Sequence, residues 1–83
     1  MFYVYVLRSK TDCMLYTGFT GDLKSRVAAH NAGKVASTKA RIPFELVYYE
    51  ACRHQNDALH RERYLKSTYG HRYLRNRLKH DAP

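Results

Sequence analysis

Glu62 is the residue on which the chemistry of this chain turns. Read as a helix at about 100° per residue, Ala58, Glu62, Leu65 and Tyr69 share one face, and the other three are apolar or aromatic. A carboxylate on the face that meets the rest of the protein needs a partner, because burying an unpaired charge is costly. One candidate is a hard divalent cation, Mg²⁺ or Mn²⁺, which keeps its waters, takes a substrate phosphate oxygen and requires as little as one protein carboxylate. The other is a buried tie to Arg26 or another arginine, which the helix pattern supports equally well. The remaining acids occupy places that explain themselves. Asp12 lies in a hairpin loop, Asp22 and Asp57 at helix starts, Glu45 and Glu50 near the ends of a strand, and Asp81 in the tail.

Arg26 and His30 stand four residues apart on another helix and act on the same object. The planar fork of an arginine matches phosphate oxygens and does not lose its charge; the competing reading is a stem that covers the core while the head reaches solvent. A histidine titrates near neutral pH and relays protons, or simply fills a half-buried site. Tyr3, Tyr5 and Tyr16 fall on neighbouring strands. A tyrosine acts as general base when cations or a metal-bound water offset its ordinary pKa of about 10; otherwise it packs in a sheet core.

The elements that carry these groups follow from pattern. Phe2 to Leu7 is a β-branched and aromatic run whose two faces are both apolar enough for burial, as in a covered strand. A polar connection leads to a returning strand, Met14 to Thr17, with Gly18 expected to end it. Asp22 caps a helix from about Leu23 to Ala32 and Gly33 stops it. Gly33 to Pro43 reads as a loop open to ordering by a polyanion. Phe44 to Ala51 is the third strand, and Asn56 or Asp57 should cap the helix that carries Glu62. Gly70 should interrupt that helix, with a last amphipathic segment from about His71 to Lys79. The order strand, strand, helix, strand, helix, helix implies an α+β fold: a small three-stranded antiparallel sheet flanked by helices.

With 83 residues the chain has room for one domain, residues 1–83. Its formal net charge of +8 points to a polyanion, nucleic acid or an acidic membrane surface. Lys34, Lys39 and Arg41 in the loop and Arg61, Arg63, Arg72 and Arg75 on the helices are candidate phosphate contacts, although charged helix faces are commonly just solvated. Cys13 and Cys52 show neither metal-ligand nor disulfide spacing, which suits a reducing compartment. No export signal or bilayer-length apolar run is visible, so a cytoplasmic location without membrane attachment is expected. Glycine-rich phosphate loops, zinc patterns and RNA-recognition aromatic signatures are absent from the sequence.

Taken in order, Tyr3-Val4-Tyr5, Tyr16-Thr17-Gly18, Thr20, Arg26, His30, Asn31, Pro43 and Glu62 resemble the GIY-YIG nuclease family, in particular its small single-domain bacterial members. The resemblance runs from about Phe2 to about Lys66. It implies hydrolysis of phosphodiester bonds with one divalent metal, held by the glutamate matching Glu62. The arginine matching Arg26 would steady the scissile phosphate, and tyrosines matching Tyr5 and Tyr16 would sit at the reacting centre, one of them activating water. His30 matches a histidine that some family restriction enzymes use near the base. DNA is the implied partner, with RNA left open, and repair or recombination the implied setting. The chain departs from the family pattern in three places. Tyr3 replaces the glycine that opens the first motif, Phe19 stands where an excision-repair subunit has lysine, and Asn76 lies further from Glu62 than the late family asparagine. An endonuclease of low sequence specificity is the expectation; a non-catalytic nucleic-acid-binding module on the same fold is the alternative, and a membrane-surface or adaptor role is a third.

Overall fold

The computed structural model describes residues 1–81. Phe2–Ser9 forms strand β1, the centre of a three-stranded sheet in the order β2-β1-β3, with both neighbours antiparallel: β2 is Leu15–Thr20 and β3 is Phe44–Cys52. The central place of β1 explains its composition. Val4 and Val6 point to one face and Tyr5 and Leu7 to the other, and all four are buried. The first pair packs with Ala58, Leu65 and Leu74, while the second packs with Phe44 and, at its margin, Leu23 and Val27. Helix α1 (Leu23–Asn31) covers the tyrosine face; α2 (Gln55–Leu65) and α3 (Thr68–Arg77) supply Ala58, Leu65 and Leu74 to the valine face. The α+β architecture expected from the pattern is the one observed. No helix among the described residues is long and apolar enough to cross a membrane.

Several boundaries differ from the sequence reading, each for a physical reason. Strand β2 does not stop at Gly18 but runs through it to Thr20, with Gly18 opposite Tyr5. A side chain at that position would run into the Tyr5 ring, so the glycine serves close approach rather than termination. Helix α2 begins at Gln55, and its capping position, His54, makes no side-chain cap; Asn56 and Asp57 lie inside the first turn. There the Asp57 carboxylate still complements the helix dipole.

The break after α2 falls at Lys66 and Ser67 instead of Gly70. The Ser67 hydroxyl donates to the Tyr64 carbonyl at 2.6 Å and accepts the Gly70 N–H at 3.2 Å, closing one helix and capping the next. Gly70 is in the first turn of α3, where its hydrogen lets α3 lie against the Tyr64–Leu65 backbone. The break resets the helical phase, so Tyr69 is 68% exposed rather than inward. Helix α1 matches its expected caps: Asp22 accepts the Ser25 N–H at 3.1 Å, and Gly33 has φ of +74°.

The segment between α1 and β3 is more firmly held than an open loop. It contains a short 3₁₀ turn at Lys39–Arg41. The buried Ser9 hydroxyl donates to the Arg41 carbonyl at 2.6 Å, and the Arg41 guanidinium pairs with Asp12 at 2.7 Å. Asn31, on α1, bonds both backbone groups of Phe44, accepting its N–H at 2.7 Å and donating to its carbonyl at 3.1 Å.

Candidate active site

Tyr5 stands at the centre of the site because β1 is the central strand and because Gly18 opposite leaves space for its ring. Its hydroxyl lies 2.8 Å from His30 Nε2 and 3.4 Å from Arg26 Nε. Arg26 and His30 reach it together because one helical turn separates them on the inner face of α1. His30 is completely buried, and its Nδ1 lies 2.8 Å from Thr38 Oγ1. Thr38 in turn directs its hydroxyl proton at the Val35 carbonyl, 3.4 Å away. That network assigns the tautomer: Nδ1 carries the hydrogen and donates to Thr38, while Nε2 accepts from the Tyr5 hydroxyl. Arg26 Nε–H donates to the same phenol oxygen.

Electrostatics follow from this packing. Burial pushes the Tyr5 phenol above its ordinary pKa; the Arg26 hydrogen bond opposes that, and the charge of Glu62 adds to it. Burial, reinforced by the neighbouring Arg26 cation, lowers the His30 pKa and keeps the ring neutral. Tyr16 packs edge-on against His30 with ring centroids 5.1 Å apart, and tilts toward Tyr5 at 6.4 Å. Its hydroxyl makes no hydrogen bond among the described residues.

Glu62 comes from α2 and is close enough for its charge to act on Tyr5. Its side chain is 20% exposed and its Oε2 lies 3.2 Å from Lys66 Nζ, one turn along the helix. The arginine tie, one of the two alternatives, is not formed: Glu62 pairs with this lysine, and Arg26 bonds Tyr5. Among the described residues no three His, Cys, Asp or Glu side chains converge as a metal cage requires. A single partly exposed carboxylate fits a hydrated Mg²⁺ or Mn²⁺ completed by water and substrate oxygens, and does not fit zinc or a fully caged calcium.

The basic candidates separate into two groups. Lys34, Lys39 and Arg63 are exposed. Arg41 is held by Asp12 and by the Met14 carbonyl at 3.2 Å, above the Phe44 ring. Arg61 is engaged twice over. It forks onto both Glu50 oxygens at 2.8 and 2.9 Å and lies between the Tyr64 and Tyr73 rings, 5.0 and 4.8 Å from their centroids. Tyr48 completes that cluster by donating to Glu50 at 2.7 Å and contacting the Tyr73 hydroxyl at 2.9 Å. Burial pushes the Glu50 carboxyl up, but the Arg61 fork and the Tyr48 hydroxyl outweigh it and hold the group below the usual carboxylate range.

Thr38 and Lys66 are the two site neighbours whose roles pattern reading does not assign. Nothing in the spacing around Thr38 marks it, because its partner is eight residues away across a turn. For Lys66 the signal is its i+4 spacing from Glu62, which makes a pair on one helix face available without selecting it over other partners.

The model of the GIY-YIG catalytic domain matches residues 1–77. A UPF0213 protein of Lacticaseibacillus paracasei is 46% identical over 72 residues, spanning 86% of this chain and 80% of its own length. A UPF0213 protein of Staphylococcus haemolyticus is 46% identical over 66 residues, spanning 78% of this chain and 79% of its own. Among solved structures, the solution NMR structure of a UPF0213 protein from Bacillus halodurans aligns with a TM-score of 0.55 and 37% identity, covering 89% of this chain and 82% of that one.

Proposed function

The chain belongs to the GIY-YIG family, a nuclease family, and from that premise we propose that it is a metal-dependent endonuclease that hydrolyses phosphodiester bonds in DNA. The observation that carries this reading is the hub at Tyr5: one phenol bonded to a buried histidine and an arginine.

Arg26 engages Tyr5 through Nε and keeps its terminal nitrogens for a non-bridging phosphate oxygen. Glu62 would hold Mg²⁺ or Mn²⁺, which when bound supplies Lewis-acid stabilisation of the charge that develops on phosphate. Tyr5 is the general base of this reading. Its phenol oxygen takes a proton from the attacking water as its own proton passes to His30 Nε2, 2.8 Å away. His30 is unprotonated beforehand and so open to receive it, and the burial and Arg26 charge that lower its pKa make the imidazolium short-lived. Thr38 anchors the far side of the imidazole and fixes its orientation. Tyr16, with its hydroxyl unengaged, lies beside the reacting centre and orients water or substrate.

The test is plasmid nicking with Mg²⁺, Mn²⁺ or chelator, by wild type, Glu62→Ala and Tyr5→Phe. Metal-dependent nicking that Glu62→Ala abolishes, and that Tyr5→Phe lowers by about 10²–10⁴-fold, is expected, with DNA binding retained in both variants. Binding without cutting by wild type would make the chain a binding module on a nuclease fold. Cutting that survives Glu62→Ala would remove the metal assignment.

A further inference from the structure

A groove of about 670 Å³ runs beside the edge strand β2, between it and α3. Its floor is apolar, built from Leu15, Leu74 and Leu78, and its rim carries Arg8, Lys66, Arg75 and Lys79 with no acidic side chain among the lining residues. The volume falls within the roughly 300–1,000 Å³ of clefts that hold small organic groups. Two residues connect the groove to the site at Tyr5. Lys66 lines it and bonds Glu62 at 3.2 Å, while Tyr16 lines it and packs on His30.

We propose that this groove binds unpaired nucleotides of a single nucleic-acid strand leading to or from the scissile phosphate, an inference that rests on the nuclease reading and narrows its substrate to DNA with a single-stranded segment. Charge complementarity selects the occupant: Arg8 is paired with Asp81 at 3.4 Å and Lys66 with Glu62, but Arg75 and Lys79 make no ion pair among the described residues, and their charge calls for a polyanion. The apolar floor selects among polyanions. A duplex presents its phosphates outward and keeps its bases stacked inside, so it leaves the half-buried Leu15 and Leu78 uncovered. An unpaired strand offers phosphates to the rim and flat base faces to the floor at once, the combination found where proteins hold single strands without reading sequence. Tyr16 adds an aromatic edge at the end nearest the site. The groove thereby favours DNA with an unpaired segment over intact duplex.

The experiment is a fluorescence-anisotropy titration of a fluorescein-labelled ten-nucleotide oligothymidylate in chelator, so that cutting plays no part. The groove variant is Arg75→Glu with Lys79→Glu, both exposed residues outside the site at Tyr5. The charge-matched control is Lys24→Glu with Arg53→Glu, also exposed and outside the groove. The groove variant is expected to weaken binding by at least about tenfold, to flatten the logarithmic salt slope by about 1.4 at 0.7 per lost phosphate contact, and to exceed the control clearly. Methyl resonances of Leu15, Leu74 and Leu78 in wild type should shift on titration with the oligonucleotide. Equal weakening by both variants, silent methyl signals, or equal competition by a polyglutamate peptide pairing with the free edge of β2 would each overturn the groove assignment. Failure of wild type to nick plasmid while the oligonucleotide still fills the groove would remove the nuclease reading instead, so the two inferences fail separately.

Discussion

Acid should weaken the folded protein through His30, and the size of the effect follows from where that ring sits. His30 has no exposed surface and both ring nitrogens are bonded, Nε2 facing the Tyr5 hydroxyl at 2.8 Å. Protonating Nε2 turns an acceptor into a donor opposite a hydroxyl that already donates to it, with the Arg26 guanidinium 3.4 Å beyond. The folded-state pKa is therefore below the ordinary value of 6.5. An unfolded chain has no such restraint and takes up the proton near pH 6.5. The contribution of neutral His30 to stability is thus fully present above about pH 6.5 and is lost as pH falls from there toward the folded pKa. The slope for one proton is at most about 1.4 kcal/mol per pH unit, so between pH 7.5 and 5.5 the loss does not exceed about 1.4 kcal/mol. Urea unfolding at pH 7.5, 6.5 and 5.5 measures it against His30→Gln. Gln keeps hydrogen-bonding capacity and does not titrate. The variant should start about 1–3 kcal/mol less stable, from imperfectly satisfied partners, and the gap should narrow as pH falls. His54, His60, His71 and His80 are exposed and common to both proteins, so they cancel in the difference. Parallel stability curves, or a folded-state His30 resonance titrating at 6.5 or above, would refute the reasoning.

Gly18→Ala places a methyl group in the Tyr5 ring and should cost about 1–3 kcal/mol by displacement; thermal unfolding reads this. The same variant should lower nicking as far as Tyr5→Phe does while circular dichroism still shows the sheet, and undiminished nicking would remove Tyr5 from the centre of the site. Arg61→Ala leaves Glu50 without its fork and opens the stack between Tyr64 and Tyr73. It should destabilise by about 1–2 kcal/mol, the partial exposure of both partners discounting the pair; anisotropy titration should show DNA affinity within about twofold of wild type, and a larger loss would mean that Arg61 contacts phosphate after all. Asn31→Ala removes both side-chain bonds to the Phe44 backbone at the start of β3 and should cost about 1–3 kcal/mol in urea unfolding, with hydrogen exchange faster at the Phe44 amide than at the amides of β1.

What the sequence by itself determined is what adjacent residues settle among themselves. The two apolar faces of Phe2 to Leu7 require a strand covered on both sides, and that strand is the central one. Asp22 and Gly33 bound α1 because a cap and a left-handed stop are local bonds and local torsions. The i, i+4 spacing of Arg26 and His30 places them on one face whatever that face meets. The elements, their order and the fold class were legible for this reason, as was the set of residues carrying the family resemblance. The tertiary structure alone decided the partners. Gly18 reads as a strand end until Tyr5 is seen opposite it. Tyr69 reads as inward until Ser67 breaks the helix and rotates the phase. Arg61 reads as an unpaired helix-face cation until Glu50, eleven residues earlier, lies within 2.9 Å. Glu62 belongs with Lys66 rather than Arg26 because Arg26 faces Tyr5. Each of these outcomes depends on which side chains come within a few ångströms across the sheet and between helices. An ion pair or hydrogen bond decays over that distance, and a one-dimensional pattern of residue types contains no such distances.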